Sequence, residues 1–363
     1  MAGVQAYLDA HREEFLSELA GLCRIPSTEH DRAALGAAAA ESARLLSRAG
    51  ASARIIEVDG GPPVVYAEAG EGPRTLLIYN HYDVQPPEPL EQWESPPFEP
   101  AVRGGRFYCR GASDNKGNLA ARIHAVRACM DLAGGLPLKV KFLVEGEEET
   151  GSAHLGGFVR RHADMLRADG CLWELSWKDP SGRPILSCGV KGLCYVELVA
   201  RGARHDLHSS YASIVPNPAW RLVWALGTLL DPDYKITIDG WMEVARPPGE
   251  AVERILREVP FDADGFMRTH GLDSLVKGAR GTALAWAYLT SPTCTICGLR
   301  AGYTGDGSKT VLPAEAVAKL DFRLAPGMTP GKLLRFLRAH LDLPMGTFME
   351  RPVRAADPEL RRQ

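Results

Sequence analysis

No apolar stretch in this 363-residue chain approaches the ~20 residues of a membrane span. An apolar signal core is also missing from the N-terminus, where Met1 to Glu18 alternates apolar and charged residues as an amphipathic helix does. Charge of one sign is not in excess: 42 Lys and Arg stand against 45 Asp and Glu, a net charge of −3. That balance gives no reason to expect nucleic acid or an anionic membrane as partner. Internal repeats and low-complexity tracts are absent. The eight cysteines are scattered through strand-like and helical segments, as reduced, partly buried thiols are. Cys294 and Cys297 form a lone CxxC without the second pair that a structural zinc needs. These features lead us to expect a cytoplasmic globular protein, for which 45% hydrophobic and 24% charged residues are ordinary.

What is present is an alternation of helical and strand-like patterns, which argues for an α/β layer architecture. The length suffices for two domains with substantial cores. Ala33 to Ala49 reads as an alanine-rich helix stopped by Gly50. Thr75 to Tyr79 is a continuous apolar run, the mark of a strand buried on both faces, and Leu138 to Val144 reads as the next buried strand. Asn118 to Leu132 has helical spacing between them. A second unit begins near Gly189, with strands over Leu193 to Ala200, Thr293 to Leu299 and Ala316 to Leu324. Its helices cover Asn217 to Leu230, with Pro218 in the first turn, and Thr329 to Leu341. The expected division is 1–188, 189–344 and a polar tail over 345–363 that starts a return into the first domain.

Three polar phrases each end or follow a strand of the first domain, so their side chains converge on one sheet edge. His81 and Asp83 lie two apart at the end of the first buried run, and period two puts them on the same side. His81 is a candidate metal ligand, with Asp83 as the carboxylate that fixes its tautomer; the alternative is a polar turn. Asp114 lies between Gly111 and Gly117 before a helix. It reads either as an N-cap or as a carboxylate bridging two metals, the glycines allowing close backbone approach. Glu147, Glu148 and Glu149 are adjacent carboxylates that repel one another unless cations neutralise them. Glu147 fits a solvated loop. Glu148 and Glu149 are candidates for a ligand and for the base that takes a proton from metal-activated water, in an order that spacing leaves open. Glu174 is a charge in an otherwise apolar run, either a surface residue or a ligand. In the second unit, His208 stands in a polar turn and Arg323 in a strand, where it is an edge charge or a clamp for a carboxylate.

Together the phrases His81-Tyr82-Asp83-Val84-Gln85-Pro86, Gly111 to Gly117, Glu145 to Ser152 and Asp206-Leu207-His208-Ser209 resemble the two-zinc aminoacylase and carboxypeptidase family, within it the carnosinase-type cytosolic dipeptidases. The resemblance runs from about Leu22 to about Arg354. It implies a catalytic domain with a mostly parallel sheet flanked by helices, incomplete at the C-terminus, and an inserted α+β lid that forms a homodimer. It implies Zn²⁺, two per subunit, with Mn²⁺ or Co²⁺ as alternatives. The resemblance makes His81, Asp114, Glu149 and Glu174 the metal ligands, with Asp114 bridging, and Glu148 the general base. The family often has Asp at the position of Glu174. His208 matches a lid histidine that reaches the partner subunit's site and stabilises the developing oxyanion. Thr310 and Arg323 match residues that hold the substrate's carboxylate. Family members continue for roughly another hundred residues, which supply a last histidine ligand; here the last histidine, His340, falls in the lid's final helix.

The function implied is metal-dependent hydrolysis of dipeptides or small peptides. Two alternatives stand beside it: a deacylase of N-acyl amino acids using the same site, and a truncated, non-catalytic homologue that only dimerises through its lid.

Overall fold

The two doubly buried runs of the first domain pair in parallel at the heart of one sheet. The computed structural model describes residues 2–174, 177–178, 182–259, 261–345 and 354–356. It falls into two units, Met1–Leu186 and Ser187–Gln363. The first contains helices α1 (Arg12–Cys23) and α2 (Arg32–Arg48), strands β1 (Ser52–Ile56), β2 (Val64–Ala69) and β3 (Thr75–His81), helix α3 (Lys116–Ala133), and strands β4 (Lys139–Glu145) and β5 (Gly170–Leu172). The sheet order is β1-β2-β4-β3-β5. β1, β2 and β4 pair antiparallel, whereas β3 pairs in parallel with both β4 and β5. The sheet is therefore mixed rather than mostly parallel. Its parallel half carries the polar phrases.

Alternation of side chains across the pleat assigns the two faces. Val65, Ala67, Ile78, Phe142 and Val144 pack against Leu22 of α1, Leu45 and Leu46 of α2, and Leu119 and Ile123 of α3. Val64, Tyr66, Tyr79 and Leu143 face the other way, against Phe158 and Leu166. Helices on both faces explain why β3 is apolar without a break from Leu76 to Tyr79, and β4 from Phe142 to Val144. At the start of α2, Asp31 accepts a capping hydrogen bond from Ala34 N at 2.9 Å.

The second unit is built on strands β6 (Gly192–Arg201), β7 (Thr293–Ala301), β8 (Glu315–Leu324) and β9 (Arg354–Ala356), ordered β7-β8-β6-β9 and antiparallel throughout. Helices α4 (Pro218–Gly227) and α5 (Pro330–Met345) contribute Leu222, Leu333 and Leu337 to a core with Val196, Leu198, Leu320, Phe322 and Trp241. The sequence led us to expect 345–363 to begin a return to the first domain. Its described residues Arg354–Ala356 instead extend this second sheet, pairing with Val199 to Glu197; residues 346–353 and 357–363 lie outside the described residues.

Phe142 is fully buried in the centre of the first sheet. Phe142→Ala should lower stability by about 3–5 kcal/mol through lost burial and a residual cavity, measured by equilibrium denaturation; a loss below about 1 kcal/mol would contradict the packing described.

Candidate metal centre

β3 and β4 end side by side, with His81 opposite Glu145 in the parallel register. The His81 ring is fully buried. Asp83, also buried, places Oδ1 3.2 Å from His81 Nδ1 and accepts a hydrogen bond on Oδ2 from Glu149 N at 2.9 Å. The main-chain oxygen of Asp83 is 3.1 Å from the same Nδ1. Both oxygens favour a proton on Nδ1 and so leave Nε2 free to act as a ligand.

Three carboxylates surround Nε2: Asp114 Oδ1 at 2.9 Å, Glu174 Oε2 at 3.2 Å and Glu148 Oε2 at 3.8 Å. Asp114 arrives on a tight loop. Gly111 has φ +82°, and a Cβ on Gly117 would lie 2.0 Å from Ala112 O, so the loop folds under the first turn of α3 only with glycine there. The cap alternative for Asp114 does not hold, because Asn115 occupies the N-cap position and makes no side-chain cap bond. Glu148 and Glu149 sit on a short 3-10 turn closed by Gly151 in the left-handed region, φ 92°. Glu149 accepts from Gln85 Nε2 at 3.0 Å. The Glu148 carboxylate has no hydrogen-bond donor among the described residues. Donor atoms of His81, Asp114 and Glu149, and likewise those of His81, Glu148 and Glu174, lie within 4.8 Å of one another.

The electrostatics follow from crowding acids in a half-buried place. Burial, reinforced by the charge of Glu148, pushes Glu174 up to about 7. Burial likewise raises Glu148 and Glu149, with neighbouring carboxylates adding to it. Burial alone would lower His81, but hydrogen bonds with Asp114 and Asp83 outweigh it and push the imidazole up to about 11. The donor set is one imidazole and several carboxylates, the hard and borderline ligands that suit zinc, manganese or cobalt. Glu174 Oε2 is buried and has no hydrogen-bond partner among the described residues. An unpartnered buried carboxylate oxygen is costly in water-excluded surroundings and natural in a metal's coordination shell. The residues fit a divalent cation.

Sequence reasoning misread two neighbours. Glu147 is not a solvated loop residue: its side chain is 13% exposed and accepts from His154 N at 2.6 Å and His154 Nδ1 at 2.8 Å. Glu145 was passed over, yet it is buried and pushed by that burial up to about 7, with Tyr79 Oη donating at 2.5 Å and Ser152 Oγ at 2.8 Å. Its signal was available: as the last residue of β4 it occupies the same rung as His81.

In the second unit, His208 and Thr310 meet where Leu207–His208 pairs with Val311–Leu312, Thr310 Oγ1 lying 3.2 Å from His208 Nε2. Ser210 N donates to His208 Nδ1 at 3.2 Å. Arg323 lies on β8, half exposed, with Nε 3.3 Å from Asp321 Oδ1. His340 is bound within its own unit, Nε2 lying 2.9 Å from Thr228 O. Cys294 packs against the second core while Cys297 is exposed, so the CxxC does not converge on one site.

The family model described as "Peptidase family M20/M25/M40" matches residues 77–332. The chain is 30% identical over 368 residues to the Beta-Ala-His dipeptidase of Rattus norvegicus, covering 93% of this chain and 72% of that protein. It is 31% identical over 289 residues to the Cys-Gly metallodipeptidase dug1 of Schizosaccharomyces pombe, covering 77% of this chain and 60% of that one. Among solved structures, the M20 family metallo-carboxypeptidase Sso-CP2 from Sulfolobus solfataricus superposes with a TM-score of 0.86 at 38% identity, over 95% of this chain and 78% of that one.

The crowded acids yield a pH signature. Glu174 moves from an ordinary 4.5 up to about 7 on folding, as does Glu145. The stability they contribute is fully present below pH 4.5 and lost as pH rises through about 7. Metal-stripped protein should therefore melt at progressively lower temperature from about pH 5 to 8, and added divalent metal should flatten that slope while releasing protons. Calorimetry across this window, with proton release followed in weak buffer, is the check. A stripped protein that gains stability as pH rises would overturn the description.

Proposed function

The chain belongs to the peptidase family M20/M25/M40, and from that premise we propose that it hydrolyses the amide bond of dipeptides or small peptides, using zinc held by His81, Asp114, Glu149 and Glu174. The observation that carries this reading is the convergence of Asp114, Glu148 and Glu174 on the single nitrogen His81 Nε2. A divalent metal pair, when bound, polarises the scissile carbonyl and lowers the pKa of water so that it can be activated near neutral pH. The names of the similar proteins, a Beta-Ala-His dipeptidase and a Cys-Gly metallodipeptidase, support a short substrate.

Glu148 is our general base. Glu149 is tethered through Gln85 to its side chain and through Asp83 to its backbone, as a ligand should be. Glu148 has no such tether and can turn to take a proton from water and pass it to the leaving amine. Its pKa is raised by burial, toward the range in which a carboxylate exchanges protons near neutral pH. Asp83 holds His81 and orients it. In the second unit we assign His208 and Thr310, already in contact, to stabilising the substrate's carbonyl oxygen and binding its carboxylate end, and Arg323 to the same carboxylate.

Met1–Leu186 is the catalytic unit in this reading, and Ser187–Gln363 a lid through which two copies pair. Support for pairing comes from α4, where Trp220 and Trp224 are 58% and 56% exposed and stack at 6.2 Å between ring centroids. The open edge of β7 adds Ile296 and Leu299, 52% and 59% exposed. Large exposed aromatics and an edge strand with no second partner among the described residues are each features that association covers. Free cysteines throughout the chain support a reducing compartment such as the cytoplasm. None of the described helices is long and apolar enough to cross a membrane.

Glu148→Gln should cut kcat by about 10²–10⁴-fold while leaving bound metal unchanged, read by dipeptide hydrolysis and elemental analysis together. Loss of metal in that variant would instead make Glu148 a ligand. For the lid, Trp220→Ser combined with Trp224→Ser should shift sedimentation from dimer toward monomer; an unaltered dimer would place the interface elsewhere.

A further inference from the structure

Glu174 stands in a precarious place. It follows β5, a three-residue edge strand whose pairing with β3 ends at Ile78 and Leu172. Trp173 and Glu174 lie beyond the last rung, so no ladder hydrogen bond fixes their position relative to His81. A misplacement of about 1 Å is enough to spoil a metal site. Something other than the sheet must hold this segment.

Arg122 of α3 reaches that point. Only 9% exposed, it donates from Nη1 to Tyr79 O at 2.8 Å and to Asn80 Oδ1 at 2.9 Å, and from Nη2 to Trp173 O at 2.5 Å. Tyr79 is the first residue of β3 past the last pair with β5, and Trp173 is the first past it on β5. The guanidinium thus takes the place of the next rung, spanning two strand ends that no longer bond each other. Its planar fork presents several donors in fixed geometry, which a lysine ammonium does not. From the other face of the sheet, the Tyr79 ring stacks on Trp173 with centroids 3.9 Å apart and planes 19° apart. His81 lies two residues beyond Tyr79, and Glu174 one beyond Trp173. Arg122 therefore sets the spacing between two of the site's residues without touching either through its hydrogen bonds.

We propose that Arg122 is a positioning residue that fixes Glu174 against His81 by bridging the ends of β3 and β5. This rests on the reading of Glu174 as a metal ligand. Substitutions that remove the support of a metal ligand typically cost 10–100-fold in metal affinity. Arg122→Met should weaken binding of one of two Zn²⁺ or Co²⁺ ions by about that factor, and lower kcat with KM little changed. Arg122→Lys keeps the charge and one donor group, so it should fall between wild type and Arg122→Met.

The decisive measurement is a cycle of metal affinities, by titration of the stripped protein with Co²⁺, for wild type, Arg122→Met, Glu174→Gln and both together. If Arg122 acts through Glu174, the double variant binds metal no more weakly than Glu174→Gln alone. Additive losses, as a general structural role would give, overturn the proposal, and so does wild-type affinity in Arg122→Met while Glu174→Gln is weakened. Wild-type affinity in Glu174→Gln would overturn the ligand reading itself, and this proposal with it. Should Arg122→Met not fold, Arg122→Lys in the same cycle gives the same discrimination, with non-additivity supporting and additivity refuting.

Discussion

The repulsion among acids gathered round His81 is the constraint on which the rest of this structure turns. Asp83, Asp114, Glu148 and Glu174 all have an oxygen within 4 Å of one buried imidazole, and Glu149 closes a second group with it. In water such charges would part, and in a half-buried site they cannot ionise together without a compensating cation. Protons are one remedy, visible in the rise of Glu174 to about 7. A divalent metal would be the stronger one, since it would neutralise two charges at once and could be held by the Glu174 oxygen that has no hydrogen-bond partner among the described residues. Everything nearby works to keep the acids from separating: the glycine-tight loop under Asp114, the left-handed Gly151 behind Glu149, and the Arg122 bridge beside Glu174.

The parallel half of the sheet is what makes this concentration possible. β3 and β4 run the same way, so their ends present His81 and Glu145 on one rung, and β5 brings Glu174 to the same end. Parallel strands place their carboxyl ends together by construction, and the loops that follow meet there. Covering both faces with helices keeps water from the strand interiors and leaves this end as the outlet for polar side chains. The antiparallel hairpin β1–β2 extends the sheet away from the site and contributes burial rather than chemistry.

Much of this was legible in the sequence, for a reason that also marks its limit. His81 and Asp83 could be read because strand periodicity is local, and two residues at the end of an apolar run share a side whatever the fold. Asp114 could not be separated from a helix cap, since both readings place an acid before a helix, and only the observed N-cap at Asn115 decides. Glu147 was misread because its partner, His154, lies across a turn whose shape depends on the left-handed Gly151. The antiparallel half of the sheet escaped notice because strand direction is a tertiary property. Arg122 carried a signal that went unread: it sits three residues after Leu119 and four before Val126, both buried, so a charge lies on the apolar stripe of its helix.

That position has a physical consequence for how the site and the core depend on each other. A guanidinium placed inside an apolar stripe costs desolvation that its partners must offset, and those partners are two backbone carbonyls and an amide at the sheet's open end. The carbonyls are free to accept because β3 and β5 have stopped pairing. The strands stop pairing where the site begins, and Trp173 and Glu174 leave the sheet there. Burial of Arg122 and departure of Glu174 from the ladder are thus one arrangement: the helix spends a charge in its packing face, and the sheet gains a fixed end on which an acid can be held against an imidazole.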